Sequence, residues 1–329
     1  MRVGLLTGGG DCPGLNAAIW AVARVGRDLG DEIVGYAHGW LGLAGGEGHT
    51  LFPEETRGIL RSGGTILRTA RHHPDEHDGG PEAVLATCAR DRLDGLVVVG
   101  GDGTLSCASR LVRRGLPVVG VPRTIDNDVA GTHRCIGFDT AVAMAAEAID
   151  RVHTTGERHD RLMVVEVMRR TAGWLALSAR IAAGAHAIGV PERPTDLRAL
   201  AKALQHRHED GATSSVAVVA EGAHLTGAEL PPGSAGAAVA EVLAVATGFE
   251  TRLTVLGHVQ LGGRPTPTDR LLATGFGVCA VGAAHAGRFG TMVASNNDRT
   301  DLVPLERVEA GARPVPEDIL ALAQRLTVL

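Results

Sequence analysis

Short, nearly uninterrupted apolar runs of strand length constrain the fold of this chain most strongly. They are VGLLT (3–7), EIVGYA (32–37), GLVVVG (95–100), PVVGV (117–121), LMVVEV (162–167), SVAVVA (215–220) and RLTVLG (252–257). Stretches with helical periodicity lie between them, among them 15–25, 104–114 and 138–154. Continuous apolar strands that alternate with helices are typical of parallel sheets covered on both faces. The sequence therefore predicts an α/β fold with a second sheet after 138–154.

The composition excludes several classes of protein. A net charge of −5 and an aromatic content of 3% argue against a protein that binds nucleic acid or an anionic membrane. Lys202 is the only lysine, so the P-loop motif GxxxxGK does not occur. The five cysteines are odd in number and widely spaced, which argues against a disulfide scaffold and indicates a reducing compartment. With no apolar stretch of about 18 residues, we expect a cytoplasmic protein that binds small molecules.

The first candidate site is the glycine-rich segment GGGDCPG at 8–14, directly after the first predicted strand. Glycines let backbone N–H groups approach an anion, and the helix that follows directs the positive end of its dipole towards it. The alternative is an ordinary turn between strand and helix, which needs fewer glycines. Cys12 lies in this segment with no flanking base, so we do not assign it as a nucleophile.

Polar loops also follow two later strands. In GGDGT (100–104), Asp102 is suited either to face a hydrated Mg²⁺ or to cap the helix that begins near Thr104. In PRTIDND (122–128), Asp126 and Asp128 share one side if the backbone is extended, which suits a base and a carboxylate that holds geometry or metal. An Asx-rich turn is the alternative for this loop. Because open α/β sheets bind ligands beyond their strand ends, the three loops together favour a phosphate site.

Arginines flank the later strands. Arg161 precedes LMVVEV, Arg169 and Arg170 follow it, and Arg252 begins RLTVLG. The guanidinium fork matches the geometry of a phosphoryl group, although each arginine alone also suits a solvated surface. The run RHHPDEH at 71–77 contains metal-ligand types without helical histidine spacing, and we interpret it as a polar loop.

Seven segments, taken in order, resemble the bacterial phosphofructokinase family. They are GGGDCPGLNAAI (8–19), GGDGTL (100–105), PRTIDND (122–128), GFDTAVAMAAEAIDR (137–151), RLMVVEVMRR (161–170), AEG (220–222) and ETRLTVLGHVQLGG (250–263). The similarity runs from residue 1 to about 305. It implies two packed three-layer α/β domains, with mostly parallel sheets and an active-site cleft between them. The ATP- and Mg²⁺-binding domain is expected at 1–138 plus about 252–303, and the sugar-phosphate-binding domain at 139–251 plus about 304–329.

The resemblance also implies an activity and the residues that carry it. The implied reaction is ATP-dependent phosphorylation of the 1-hydroxyl of fructose 6-phosphate, in a homotetramer whose sugar sites lie between subunits. The implied catalytic residues are Asp126 as general base, Asp128, Thr124 and Arg170. The residues implied to contact ATP are Gly10, Arg71, Gly101, Asp102, Gly103 and Thr104, with Asp102 acting through Mg²⁺. The residues implied to bind the sugar phosphate are Arg161, Met168, Arg169, Glu221, Arg252 and His258, with Arg161 and Arg252 coming from a neighbouring subunit.

Four positions bear on the choice of substrates. Gly103 matches family members that use ATP, whereas pyrophosphate users typically carry Asp there. Arg123 stands where other members carry Gly or Lys, which keeps pyrophosphate open as a donor. Leu261 replaces the usual Arg of the 6-phosphate clamp, and Arg169 replaces the usual Gly beside the sugar. Either Arg169 compensates for Leu261, or the pocket has been retuned to a different phosphosugar.

Two further alternatives concern regulation and catalysis. Trp20 stands where allosterically regulated relatives often carry Arg, which predicts that ADP activation and phosphoenolpyruvate inhibition are absent. A catalytically silent sensor of sugar phosphate or nucleotide is the non-enzyme alternative. The intact carboxylates Asp102, Asp126 and Asp128 argue against such a sensor.

Overall fold

The structure is a computed structural model that describes residues 1–230, 233–296 and 299–326. The chain forms two compact units. The first comprises Met1–Thr140 and Leu261–Arg313, and the second comprises Ala141–Gln260 and the segment that begins at Pro314. Each unit is built around a sheet of its own.

The elements are numbered along the chain. The strands are β1 (Arg2–Gly8), β2 (Glu32–Tyr36), β3 (Gly48–Thr50), β4 (Gly95–Gly100), β5 (Val118–Pro122), β6 (Leu162–Val167), β7 (Ala187–Gly189), β8 (Thr195–Asp196), β9 (Ser215–Ala220), β10 (Leu225–Thr226), β11 (Thr251–Val255), β12 (Thr291–Asn296) and β13 (Arg299–Pro304). The helices are α1 (Leu15–Asp28), α2 (Trp40–Gly45), α3 (Pro53–Thr56), α4 (Gly80–Arg90), α5 (Asp102–Val112), α6 (Phe138–Glu157), α7 (Trp174–Ala182), α8 (Leu197–Glu209), α9 (Ala235–Thr247), α10 (Pro267–His285) and α11 (Glu317–Arg325). Short 3-10 turns occupy Ile59–Arg61, Pro74–Glu76, Gly257–Leu261 and Leu305–Ala310.

The sheet of the first unit has seven strands in the order β13-β12-β5-β4-β1-β2-β3. Its five central strands run parallel, and β13 and β3 pair antiparallel at the two edges. Every residue of β4 is buried. Leu96 and Val98 of β4 share one hydrophobic cluster with Val84 of α4 and Leu105 of α5. This burial explains why the strand GLVVVG is apolar without interruption.

The main sheet of the second unit has the order β11-β6-β9-β7, and all its pairs are parallel. A separate two-stranded parallel pair joins β10 and β8. Leu162 and Val164 of β6 pack with Leu204 of α8 and Leu243 of α9 in one cluster. The burial of β6 and β9 at every position fixes them as the centre of this sheet.

The predicted α/β fold with mostly parallel sheets is confirmed, and each of the seven apolar runs forms a strand. The sequence did not predict the antiparallel pair of β12 and the edge strand β13, because polar residues interrupt the apolar pattern of both strands. Strands β3, β7, β8 and β10 are two or three residues long, too short for a periodic signal. None of the described helices is long and apolar enough to cross a membrane.

Candidate active site

Three polar loops leave the sheet of the first unit side by side. Gly8, the last residue of β1, pairs with Gly100 of β4, and Gly100 pairs with Pro122, the last residue of β5. Because the three strands are parallel and end in register, the loops that follow them begin at one edge of the sheet. The sequence predicted each loop separately, and the strand register brings them together.

The glycine loop after β1 is held by the segment around residue 70. The Gly9 N–H donates to the carbonyl oxygen of Ala70 at 3.0 Å, and the Thr69 hydroxyl donates to the carbonyl oxygen of Gly9 at 2.7 Å. A Cβ atom on Gly10 would lie 3.5 Å from Nη2 of Arg71. The fold therefore brings Gly10 and Arg71 together, although 60 residues separate them in the sequence.

The loop after β4 leads directly into α5. Gly101 is the residue before the helix, and Asp102 is its first residue. Asp102 thus lies in the first turn of α5, where the helix dipole favours a negative charge. The N-cap of this helix is Gly101, and not Asp102 as in one of the two interpretations of the sequence. The Thr104 side chain is buried, and Cβ atoms on Gly8 and Gly100 would lie 2.7 and 2.4 Å from its Cγ2. Glycine is required at both strand ends because Thr104 fills the space beside them.

Gly103 packs against an imidazole that sequence reasoning did not assign. A Cβ atom on Gly103 would lie 2.8 Å from Cε1 and 3.1 Å from Nε2 of His73. His73 contacts Glu76 through Nδ1 at 3.2 Å. Apart from Arg71, the run 71–77 was interpreted as a polar loop, and no local pattern in the sequence indicates that His73 lies beside Gly103. Within the described residues, no group of three or more His, Cys, Asp or Glu side chains is placed to hold a metal ion.

The loop after β5, residues 124–128, carries two acidic side chains. The Thr124 hydroxyl donates to Oδ2 of Asp126 at 3.0 Å and accepts the Asp126 N–H at 3.1 Å. Asn127 has φ = 53°, in the left-handed region, and Asp128 is buried. Asn127 spans the turn, because its Nδ2 donates to the His133 carbonyl and its Oδ1 accepts the Cys135 N–H. The local backbone matches the Asx-rich turn that the sequence offered as an alternative. Within this turn, Asp126 lies beside Thr124.

Arg123 links the end of β5 to the end of β1. Its side chain is buried, and its guanidinium donates to the carbonyl oxygen of Gly8. Its backbone N–H donates to the carbonyl oxygen of Gly100 at 2.9 Å. A Cβ atom on Gly9 would lie 2.9 Å from its Nη2. Burial lowers the pKa of Arg123 from its ordinary value, because desolvation penalises the charged form.

The sheet of the second unit also presents aligned strand ends. Val167 of β6 pairs with Ala220 of β9, so Met168–Arg170 and Glu221 begin at the same edge. Arg170 Nε donates to Oε1 of Glu221 at 2.8 Å. This hydrogen bond is the largest cause of a lowered pKa for Glu221. The fold therefore brings Arg170 and Glu221 together and keeps Glu221 ionised.

Met168 and Arg169, which directly follow β6, are held by hydrogen bonds from their backbone N–H groups. The Met168 N–H donates to Oε1 of Gln260 at 2.8 Å, and Gln260 is fully buried. The Arg169 N–H donates to Oε2 of Glu221 at 3.4 Å, and Arg169 has φ = 106°. The sequence motif that contains Gln260 does not indicate this contact.

Arg161 and Arg252 converge on one carboxylate. Nη2 of Arg161 lies 2.9 Å from Oε1 of Glu250, and the guanidinium of Arg252 donates to the same oxygen. The hydrogen bond from Arg161 is the largest cause of a lowered pKa for Glu250. Sequence reasoning did not single out Glu250. His258 is exposed on the turn Gly257–Leu261, which follows β11.

The two arginines lie towards the start of β6, and Met168 follows its end. Arg161 precedes β6, and Arg252 pairs with Met163, its second residue. Six strand residues separate Arg161 from Met168, which at about 3.3 Å per residue is roughly 20 Å. Within one chain, these arginines are therefore remote from Arg170 and Glu221.

Comparison with known proteins gives consistent matches. The family model described as "Phosphofructokinase" matches residues 2–284. The chain is 47% identical over 326 residues to the pyrophosphate–fructose 6-phosphate 1-phosphotransferase of Amycolatopsis methanolica, covering 95% of both chains. It is 45% identical over 332 residues to the ATP-dependent 6-phosphofructokinase 2 of Streptomyces coelicolor, covering 97% of both.

Solved structures show the same fold. The phosphofructokinase of Pichia pastoris in the T-state matches with a TM-score of 0.86 and 33% identity, over 99% of this chain and 36% of that longer one. The pyrophosphate-dependent phosphofructokinase of Marinobacter aquaeolei matches with a TM-score of 0.86 and 20% identity, over 100% of this chain and 92% of that one. The second likeness concerns the fold alone.

Proposed function

Because the chain belongs to the phosphofructokinase family, we propose that it transfers the terminal phosphoryl group of ATP to the 1-hydroxyl of fructose 6-phosphate. The observation that carries this proposal is the register that aligns Gly8, Gly100 and Pro122. It starts a glycine loop, a helix N-terminus and an acidic loop at one edge of the sheet. Phosphoryl transfer depends on positioning and charge neutralisation more than on covalent catalysis, and these segments suit both.

Asp126 is the proposed general base. Its carboxylate takes the proton from the acceptor hydroxyl as the oxygen attacks the phosphoryl group. The bonds to Thr124 orient the carboxylate. Asp128, buried two residues later, is proposed to support the base electrostatically, and Arg170 is proposed to neutralise charge on the transferring group.

Asp102 is the proposed ligand of Mg²⁺. Mg²⁺ commonly takes one or two carboxylates together with waters and substrate phosphates, rather than a cage of protein ligands. The Asp102 carboxylate in the first turn of α5 fits that donor set. Mg²⁺ held by Asp102 would supply positive charge that neutralises the donor phosphates. The proposed nucleotide contacts are Gly10, Arg71, Gly101, Gly103 and Thr104.

The donor is proposed to be ATP, on the evidence of Gly103. A Cβ atom at this position would lie against the His73 ring, and glycine leaves that space open without displacing the ring. Pyrophosphate is the second candidate, because buried Arg123 places a cation beside the glycine loop and the relative from Amycolatopsis methanolica is named as a pyrophosphate-dependent enzyme.

The acceptor is proposed to be fructose 6-phosphate, contacted by Met168, Arg169, Glu221 and His258. Glu221 is ionised and held by Arg170, which suits it to accept hydrogen bonds from sugar hydroxyls. A different phosphosugar is the alternative acceptor, because Leu261 supplies no cation and Arg169 adds one.

We also propose that the enzyme is a homotetramer in which Arg161 and Arg252 complete the sugar site of a neighbouring subunit. The roughly 20 Å along β6 between Arg161 and Met168 supports this, because one chain cannot direct both at one small ligand. In this proposal, residues of the first unit bind the nucleotide, and residues of the second unit bind the sugar phosphate. The five cysteines are free, which supports a cytoplasmic location.

The experiment is a measurement of ADP release by the purified protein with Mg²⁺ and ATP, with and without fructose 6-phosphate. A parallel assay of phosphate release uses pyrophosphate in place of ATP. We expect ADP release that depends on fructose 6-phosphate. Turnover only with pyrophosphate would identify pyrophosphate, and not ATP, as the phosphoryl donor. Turnover only with another phosphosugar would identify that sugar, and not fructose 6-phosphate, as the acceptor. Tight binding of both ligands by folded protein without turnover would identify a sensor.

A further inference from the structure

A half-buried arginine from a distant segment holds the loop that carries the proposed base. The backbone N–H of Arg313 donates to the carbonyl oxygen of Asp128 at 2.6 Å. Its Nη2 donates to the carbonyl oxygens of Asn127 at 2.7 Å and His133 at 3.2 Å. One residue, 180 to 186 positions away in the sequence, therefore serves three carbonyl groups on both sides of this turn.

The backbone that Arg313 contacts is in a conformation that needs support. Asn127 has φ = 53°, which side-chain-bearing residues adopt rarely, although asparagine tolerates it better than most. Its own side chain contributes by bonding to His133 and Cys135. Such conformations persist where the surrounding structure stabilises them, and here the hydrogen bonds from Arg313 add to those of the Asn127 side chain.

The position of Asn127 in the sequence gives this support a functional consequence. It lies directly between Asp126 and Asp128, so its φ and ψ angles set the direction of one carboxylate relative to the other. Release of the Asn127 and His133 carbonyls lets the turn leave the left-handed conformation. We expect Asp126 to shift as a result, because it adjoins Asn127 in the chain.

We propose that Arg313 is a positioning residue for phosphoryl transfer, which holds Asn127 in its left-handed conformation and so keeps Asp126 aligned with the acceptor hydroxyl. The inference rests on the proposed function. Arg313 touches neither substrate in this proposal and acts through the backbone of the loop. Its contribution is therefore to turnover and not to the affinity for either substrate.

The test compares Arg313→Met, Arg313→Lys and the control Arg114→Met, which removes an exposed ion pair with Glu82 elsewhere in the same unit. Misplacement of a reacting group by about 1 Å costs up to roughly 100-fold in rate, so we expect the kcat of Arg313→Met to fall about 10- to 100-fold. The KM values for ATP and fructose 6-phosphate are expected to remain near wild type. Arg313→Lys is expected to recover part of kcat, because an ammonium group can donate to one of the two carbonyls. Arg114→Met is expected to match wild type.

A solvent deuterium isotope effect on kcat supplies a readout that loss of stability alone does not change. We expect it to increase in Arg313→Met, because proton transfer to a misaligned base becomes more rate-limiting. A kcat of folded Arg313→Met within about twofold of wild type overturns the inference. Equal increases in both KM values without a change in kcat overturn it as well.

If Arg313→Met does not fold, as judged by circular dichroism, Arg313→Lys decides. A kcat at least about threefold below wild type with unchanged KM values supports the inference, and a wild-type kcat overturns it. Failure of the proposed function is recognised separately, because it appears as absent turnover in the wild-type protein. An active wild type with unaffected variants contradicts the positioning role alone.

Discussion

Thr124 and Asp126 are joined by two hydrogen bonds that run in opposite directions. The Thr124 hydroxyl donates to Oδ2 of Asp126 at 3.0 Å and accepts the Asp126 N–H at 3.1 Å. A single hydroxyl thus fixes both the backbone and the carboxylate of the proposed base. This arrangement selects one rotamer before substrate binds, which reduces the reorganisation needed for proton transfer.

The first prediction concerns Asp126→Asn. The amide keeps the shape of the carboxylate but cannot accept the proton, so we expect kcat to fall by roughly 100- to 10,000-fold. Calorimetric titration is expected to give nearly unchanged binding of nucleotide and sugar phosphate. Thr124→Ser, which retains the hydroxyl, serves as the control and is expected to stay near wild type. Unchanged turnover in Asp126→Asn contradicts the assignment of the base.

The second prediction concerns Leu261→Arg. A charge-assisted hydrogen bond contributes about 1.5–3 kcal/mol, so a restored guanidinium is expected to lower the KM for fructose 6-phosphate by about 10- to 150-fold. Leu261→Met keeps the residue apolar and is the matched control, with no change expected. If Leu261→Arg leaves this KM unchanged, position 261 does not limit the binding of the sugar phosphate.

The third prediction concerns Arg169→Gly. Arg169 has φ = 106°, where a Cβ atom is strained and glycine is not, so we expect the variant to gain thermal stability. If Arg169 compensates for Leu261, its loss also raises the KM for fructose 6-phosphate. Arg169→Lys keeps the charge and the Cβ atom, and is expected to change neither the melting temperature nor this KM appreciably. A rise in melting temperature with an unchanged KM would show that Arg169 strains the backbone but does not contribute to substrate binding.

The fourth prediction concerns Gly103→Asp. A Cβ atom there would lie 2.8 Å from His73, and the added carboxylate repels the donor phosphates. We expect the KM for ATP to rise at least about tenfold, which corresponds to 1.4 kcal/mol. Gly103→Ala isolates the steric part and is expected to have the smaller effect, because the His73 ring can turn aside. Equal effects of the two variants would show that charge plays no part.

The fifth prediction concerns the pH dependence of Glu221. Arg170 lowers its pKa below the ordinary value of 4.5, so the ion pair is fully present above that value and is lost as the pH falls through the folded-state pKa. In Arg170→Met, the pKa is expected to return towards 4.5, and the loss of ionised Glu221 then begins at higher pH. Titration of the Glu221 carboxyl by ¹³C NMR measures this shift.

The matched control for this titration is Arg113→Met. Arg113 lowers the pKa of Glu309 through an equivalent hydrogen bond in the other unit. The variant is expected to raise the pKa of Glu309 and to leave that of Glu221 unchanged. A Glu221 titration that is the same with and without Arg170 would contradict the assigned cause.

The polar loops were predictable one at a time. GLVVVG predicts a strand because it is apolar throughout, and the glycines and Asp102 that follow it mark a strand end. Asp126 stood out because it follows another such strand. These signals are local, since hydrophobic pattern and turn chemistry are expressed within a few residues.

The contacts between distant segments were not predictable in this way. His73 beside Gly103, Glu250 between Arg161 and Arg252, and Arg313 on the turn of Asn127 all depend on the path of the folded chain. An arginine or histidine in a loop has the same local signature whether it meets solvent or a distant carbonyl. Only the packed structure distinguishes the two.

The sequence by itself determined the α/β class, the seven apolar strands and the kinds of side chain at their ends, because a sheet covered on both faces requires apolar strands and leaves polar residues for the loops. Only the tertiary structure decided that Gly8, Gly100 and Pro122 lie in register, and that Arg313 fixes the conformation of Asn127. Register and long-range hydrogen bonds arise from pairing between segments far apart in the chain. No local pattern carries that information, since the same strand can pair in more than one register until the whole core is packed.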